Sequence, residues 1–162
     1  DQTLQASAIL KRLGTPCMIH QPYYHMFSRG FESDLQETLE SEGIGSIAFC
    51  PLAQGLLTDK YLTSIPSNSR LAKKAGFIKE GEVSQENTDA LEKLNLIAKE
   101  RGQSLAQMAL AWVLRKDRVS SALIGASRVT QIEENVKALD KLEFSSFELN
   151  CIQAIITQVK WA

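Results

Sequence analysis

Ser121-Ala-Leu-Ile-Gly-Ala-Ser-Arg-Val-Thr-Gln-Ile-Glu-Glu-Asn-Val136 runs from a short apolar stretch, through a glycine, into residues of helical spacing. Residues 121–124 suit a buried strand, Gly125 lets the backbone turn, and Ile132, Val136 and Leu139 mark one face of a following helix. The first turn of such a helix presents unpaired N–H groups and the positive end of its dipole, which together suit a phosphate group. The same residues also describe an ordinary strand-to-helix turn, and taken alone they leave both readings open.

Upstream, the pattern repeats twice. Ala6, Ile9, Leu10 and Leu13 give an amphipathic helix stopped by Gly14, after which 16–21 (Pro-Cys-Met-Ile-His-Gln) reads as a strand buried on both faces. Ser33 with Gln36 predicts a capping box opening a helix through about Ser41, closed by Gly43, and Gly45-Ser-Ile-Ala-Phe-Cys50 is the second strand. The polar segment from about Gly55 to Ser84 is too long for an ordinary loop, and loops of that size are usually functional. Helices resume around Leu91, Leu94 and Ala98, and again at Ser104, capped by Gln107, with Leu105, Met108, Ala109 and Trp112 as the apolar stripe. Ser145 with Glu148 opens a last helix carrying Leu149, Ile152, Ile156 and Val159.

This order belongs to an α/β protein with a parallel sheet and right-handed crossovers. Three parallel strands leave long unpaired edges, so the sheet belongs either to an open sandwich in a small domain or to an incomplete (β/α)8 barrel.

Composition narrows the function. The chain has 162 residues, 44% of them hydrophobic and 23% charged, which is ordinary for one globular domain with its own core. A net charge of -1 offers no footprint for nucleic acid, and no apolar run approaches a membrane span. Cys17, Cys50 and Cys151 lack metal spacing and read as reduced thiols, and no signal core precedes them, so a cytoplasmic location is expected.

In α/β folds the chemistry sits at the C-terminal strand ends. Here these are His20-Gln-Pro-Tyr-Tyr-His25, Phe49-Cys-Pro-Leu-Ala-Gln-Gly55 and the Gly125 turn. Two motifs, Pro51-Leu-Ala-Gln-Gly-Leu-Leu-Thr with Lys60-Tyr61, and Ile124-Gly-Ala-Ser with Gln131, Glu134 and Asn135, resemble the C-terminal half of the aldo-keto reductases. The branch most similar includes bacterial glyceraldehyde 3-phosphate reductases and potassium channel beta subunits. The likeness covers essentially the whole chain. It implies a partial TIM barrel over residues 1–162, made of the last three parallel strands with their helices, and an NADP(H) cofactor.

Under this resemblance, Gln21 would hydrogen-bond the nicotinamide carboxamide, and Phe49 would stack on the ring. Cys50, Pro51, Leu52 and Gln54 would surround the pyrophosphate, with Lys60 and Arg70 clamping it from the loop. Gly125, Ser127, Arg128 and Gln131 would meet the adenosine 2′-phosphate, and Glu134 and Asn135 the adenine. Judged without the family, Gln21 is also a solvated strand end, Phe49 a core ring, and Lys60 and Arg70 plain loop charges. His20 and His25 read as structural. Asp59 stands where close relatives often carry Gly, so a different turn is expected there.

The family reduces small carbonyl substrates with a tyrosine acid tuned by a lysine and an aspartate, beside a histidine. Tyr23, Tyr24 and Tyr61 do not match that tyrosine, and the tetrad belongs to the barrel's first half. The segment is therefore expected to be a fragment, inactive alone, whose partner is a missing N-terminal half-barrel. Its open edges predict a homo-oligomer. The alternative is a non-catalytic nucleotide-binding or assembly module, or a residual truncated fragment.

Overall fold

The computed structural model describes residues 2–62, 84–115 and 119–158. Its elements are α1 (Gln2–Arg12), β1 (Ile19–His20), α2 (Asp34–Glu42), β2 (Gly45–Phe49), α3 (Gln85–Glu100), α4 (Leu105–Leu114), β3 (Ser121–Leu123), α5 (Val129–Val136) and α6 (Ser146–Thr157). The strands form one parallel sheet in the order β1-β2-β3, so consecutive strands are neighbours joined through helices. Ile19 pairs with Gly45, and β2 continues into β3 with Phe49 opposite Leu123. Beyond β1, Tyr23 bridges back to Phe49 and extends that pairing to the strand ends.

Local chemistry sets the helix boundaries. Ser104 and Gln107 form a reciprocal capping box that opens α4, and Ser145 and Glu148 form another that opens α6. Ser84 caps α3 through the Asn87 N–H. The box expected at Ser33 does not form, because the Ser33 hydroxyl donates to the Gly30 carbonyl and makes no cap bond. Gly43 ends α2 in the left-handed conformation, with Ile44 N–H donating to the Leu39 carbonyl.

The core lies on one side of the sheet. Leu91, Leu94, Ala98, Leu105, Met108, Trp112, Val113 and Ile152 pack there against Tyr24, Ala48 and Leu57. Fully burying each large aliphatic side chain among them contributes roughly 1.5–3 kcal/mol. α4 is buried nearly all round, beyond the stripe read from its sequence, because α3, α5, β3 and the 3-10 turn Lys137–Lys141 all contact it.

The opposite side is open, which corrects the expectation of strands buried on both faces. β2 alternates between half-buried and buried residues, while β1 and β3 leave Ile19 and Leu123 about half exposed. The predicted stripes of α1 and α5 are uncovered too: Ile9, Leu13, Ile132, Val136 and Leu139 are all exposed. Periodicity identifies an apolar face, but only a neighbouring layer can bury it.

Candidate functional site

The C-terminal ends of β1 and β2 converge because their backbones stay bonded past the strands. Phe49 N–H donates to the Pro22 carbonyl at 3.0 Å, and Tyr24 N–H donates to the Phe49 carbonyl at 3.5 Å. Strand alternation then sorts the side chains. Pro22 and Tyr24 are buried, while Gln21 and Tyr23 are exposed and Phe49 is half-buried. Tyr23 packs on Phe49 with ring centroids 5.1 Å apart, and the edge of His25 meets Tyr23 at 4.7 Å.

His25 is held by a hydrogen bond at one ring nitrogen only. Its Nδ1 accepts the Phe27 N–H at 3.2 Å, which leaves the proton on Nε2, and that atom has no partner among the described residues. Burial pushes the imidazole pKa down to about 4, so the ring is neutral near pH 7.

Directly after Phe49 the chain enters a tight turn. Cys50, Ala53 and Gln54 all take left-handed φ values of 57°, 47° and 57°, and Gly55 follows at 103°. Left-handed backbone costs a non-glycine residue about 1–2 kcal/mol, and such strain clusters where a structure serves a ligand. Bonds from Ala53 N–H to the Cys50 carbonyl and from Leu57 N–H to the Leu52 carbonyl hold the turn. Pro51 is buried beneath it, and Leu52 is half-buried. Thr58 then caps a 3-10 turn, Asp59–Tyr61, in which the exposed Lys60 ammonium lies 5.7 Å from the Tyr61 ring. Arg70 lies outside the described residues.

At the third strand end, Gly125 does not have positive φ, and a Cβ built there meets nothing within 4 Å. The turn itself thus needs no glycine. The Gln131 side-chain oxygen accepts from the backbone N–H of Ser127 at 2.9 Å and of Arg128 at 3.2 Å, so it caps the entry to α5. Ser127, Arg128 and Glu134 are exposed, and Asn135 is half-buried. The Glu134 carbonyl accepts from Gln107 of α4, which anchors α5 to the core helix.

The structure therefore brings Gln21, Phe49 and the Cys50–Gln54 turn together at adjoining strand ends, with the Gly125 turn two residues beyond the rung joining Phe49 to Leu123. Tyr23, weighed from the sequence only as a proton donor and set aside, joins this group, and Ala53 adds a left-handed residue within the turn. An aromatic opposite Phe49 could have signalled Tyr23, but nothing in an alanine announces a left-handed φ. Groups of three or more His, Cys, Asp or Glu able to hold a metal do not occur among the described residues.

The family model described as "Aldo/keto reductase family" matches residues 2–157. The chain belongs to the aldo/keto reductase family. It is 46% identical over 153 residues to an L-glyceraldehyde 3-phosphate reductase of Escherichia coli (strain K12), covering 92% of this chain and 44% of that protein. An L-glyceraldehyde 3-phosphate reductase of Escherichia coli O157:H7 is 45% identical with the same coverage. The chain thus spans a little under half the length of these reductases. None of its described helices is long and apolar enough to cross a membrane.

Proposed function

We propose that this chain is the cofactor wall of an aldo/keto reductase barrel, formed by its last three strands, and that it holds NADP(H) across their C-terminal ends. The observation that carries this reading is the convergence of an amide (Gln21), an aromatic ring (Phe49) and a strained backbone turn (Cys50–Gln54) on adjoining strand ends. These groups fit a dinucleotide: a planar ring for the nicotinamide, an amide beside it, and backbone and cations for the phosphates. Lys60, Arg70, Ser127 and Arg128 supply polar and cationic partners for the phosphates, and the open space at Gly125 admits a close approach to the backbone. Gln131 serves by holding the Ser127–Arg128 backbone in place, while Glu134 and Asn135 face the adenine end.

The bound cofactor would supply hydride to an aldehyde or ketone. The residues of this chain position it, shield one face of its ring and exclude water behind Phe49, while the proton donor comes from the remaining strands. Those strands cover the open face of the sheet, where Ile19, Tyr23 and Leu123 are exposed. Without them the chain self-associates through that face and the two sheet edges.

Titration with NADPH, followed by nicotinamide fluorescence, tests the binding. Saturation is expected, with NADH weaker, and no consumption of NADPH when an aldehyde is added. Turnover by the chain alone would contradict the half-site reading, and lack of saturation would contradict the cofactor assignment. Sedimentation should show more than one chain per particle, whereas a stable monomer would count against the uncovered face.

A further inference from the structure

The helix-covered side of the sheet holds a second polar centre, separate from the strand ends. A cavity of about 280 Å³ opens between the loop after β1, the end of α4 and α6. Arg29 and Arg115 line it together with a single carboxylate, Glu32. Arg115 is almost fully buried, with its guanidinium carbon 3.6 Å from the centre of the Trp112 ring, and Arg29 lies 5.4 Å from the same ring. Arg115 donates to Glu32 and to the Tyr24 hydroxyl, both at 3.0 Å, and to the Trp112 carbonyl. Arg29 donates to Glu32 at 3.1 Å through Nε and to the Gln153 amide oxygen.

Charge does not balance here. Burial keeps the Tyr24 phenol protonated, against the opposing pull of Arg115, so that it donates to Glu32 at 2.6 Å. Burial would raise the Glu32 carboxyl, but hydrogen bonds from Arg29, Tyr24 and Arg115 outweigh it and hold the group at about 2. Among the described residues, two guanidiniums therefore face one carboxylate in a largely desolvated recess, an excess of one positive charge. The two guanidiniums carry ten N–H donors between them, more than Glu32, Tyr24, Trp112 and Gln153 take up among the described residues. Leu149 and Ile152 add an apolar wall. Surplus forked donors beside a buried indole and an aliphatic wall are what a small anion with an apolar body requires.

We propose that this cavity binds a small organic anion, its carboxylate or phosphate taken by Arg29 and Arg115 and its apolar part resting on Leu149 and Ile152. The site does not depend on the cofactor reading.

Replacing Trp161 by Phe leaves Trp112 as the only tryptophan of the chain, and its emission reports on the cavity. Butyrate and inorganic phosphate are titrated separately at constant ionic strength, with chloride as the control. Saturable change with butyrate is expected, weakened at least tenfold in Arg29→Gln, whose side chain is a third exposed. Saturation with phosphate alone would sustain the site and assign the anion to phosphate. Glu32→Gln removes the competing carboxylate, so tighter binding is expected, an effect that a purely structural ion-pair network would not produce. No saturable change with either anion, or an unchanged response in Arg29→Gln, would overturn the proposal.

Discussion

The two faces of one three-stranded sheet behave as different materials. On the helix side, Tyr24, Ser46 and Ala48 are buried and touch a dense aliphatic core; on the other, Ile19, Gln21, Tyr23 and Leu123 stand exposed. Both faces belong to the same strands, so the difference comes from what lies opposite. The helix side holds the fold together, and the open side carries Gln21 and Tyr23, beside the residues proposed above to hold the cofactor. The exposed strand-end residues are free to serve a ligand because their own burial is not what stabilises this chain.

The sharpest way to break this contrast is to cut the same amount of side chain from each face. Leu94→Ala or Leu105→Ala, at fully buried positions, is expected to cost about 2–5 kcal/mol in urea unfolding. Leu123→Ala should change stability by less than about 0.5 kcal/mol. Equal losses at both sites would mean the open face is covered in solution.

A next contrast sets His25 against Glu32. The folded pKa of His25 lies below its ordinary value of 6.5, so its neutral form stabilises the fold fully above that pH and this contribution is lost as pH falls toward about 4. A loss of about 3 kcal/mol is expected across this window, flattened in His25→Phe. The Glu32 contribution should be complete above its ordinary value of 4.5 and be lost progressively as pH falls from there to about 2. A melting temperature independent of pH between 6.5 and 4 would place His25 in contact with water.

Smaller effects separate formed from unformed local motifs. Ala53→Gly relieves a left-handed φ of 47° and should stabilise the chain by up to about 1 kcal/mol, while Gly55→Ala at 103° should destabilise it. Ser104→Ala should cost about 1 kcal/mol, since its cap is made, and Ser33→Ala close to nothing, since its hydroxyl serves the Gly30 carbonyl instead. Thermal unfolding of the four variants ranks them.

These contrasts show what was legible in the chain. The order of strands and helices and the caps at Ser104 and Ser145 follow from short-range spacing, and the structure repeats them. The Ser33–Gln36 pattern has the same spacing but forms no box, because a nearer acceptor at Gly30 takes the hydroxyl. The apolar stripes of α1 and α5 are real but uncovered, since burial depends on a layer that spacing within the helix cannot report. Gln21 and Phe49 are singled out through the family motifs around them, and the structure sets them on adjoining strand ends. Gly125 drew attention as a glycine yet has no left-handed φ, whereas the strained positions are Cys50, Ala53 and Gln54, whose residue types give no such signal. The network of Tyr24, Glu32 and Arg115 joins residues up to 91 positions apart, beyond the reach of any periodicity.

Amide hydrogen exchange with and without NADPH tests most directly whether the strand ends hold the cofactor. Protection is expected in peptides covering Gln21–His25, Phe49–Leu57 and Gly125–Gln131, removed by Phe49→Ala and absent from α6. No protection at the strand ends, or protection confined to α6 and the Arg29–Arg115 cavity, would contradict it.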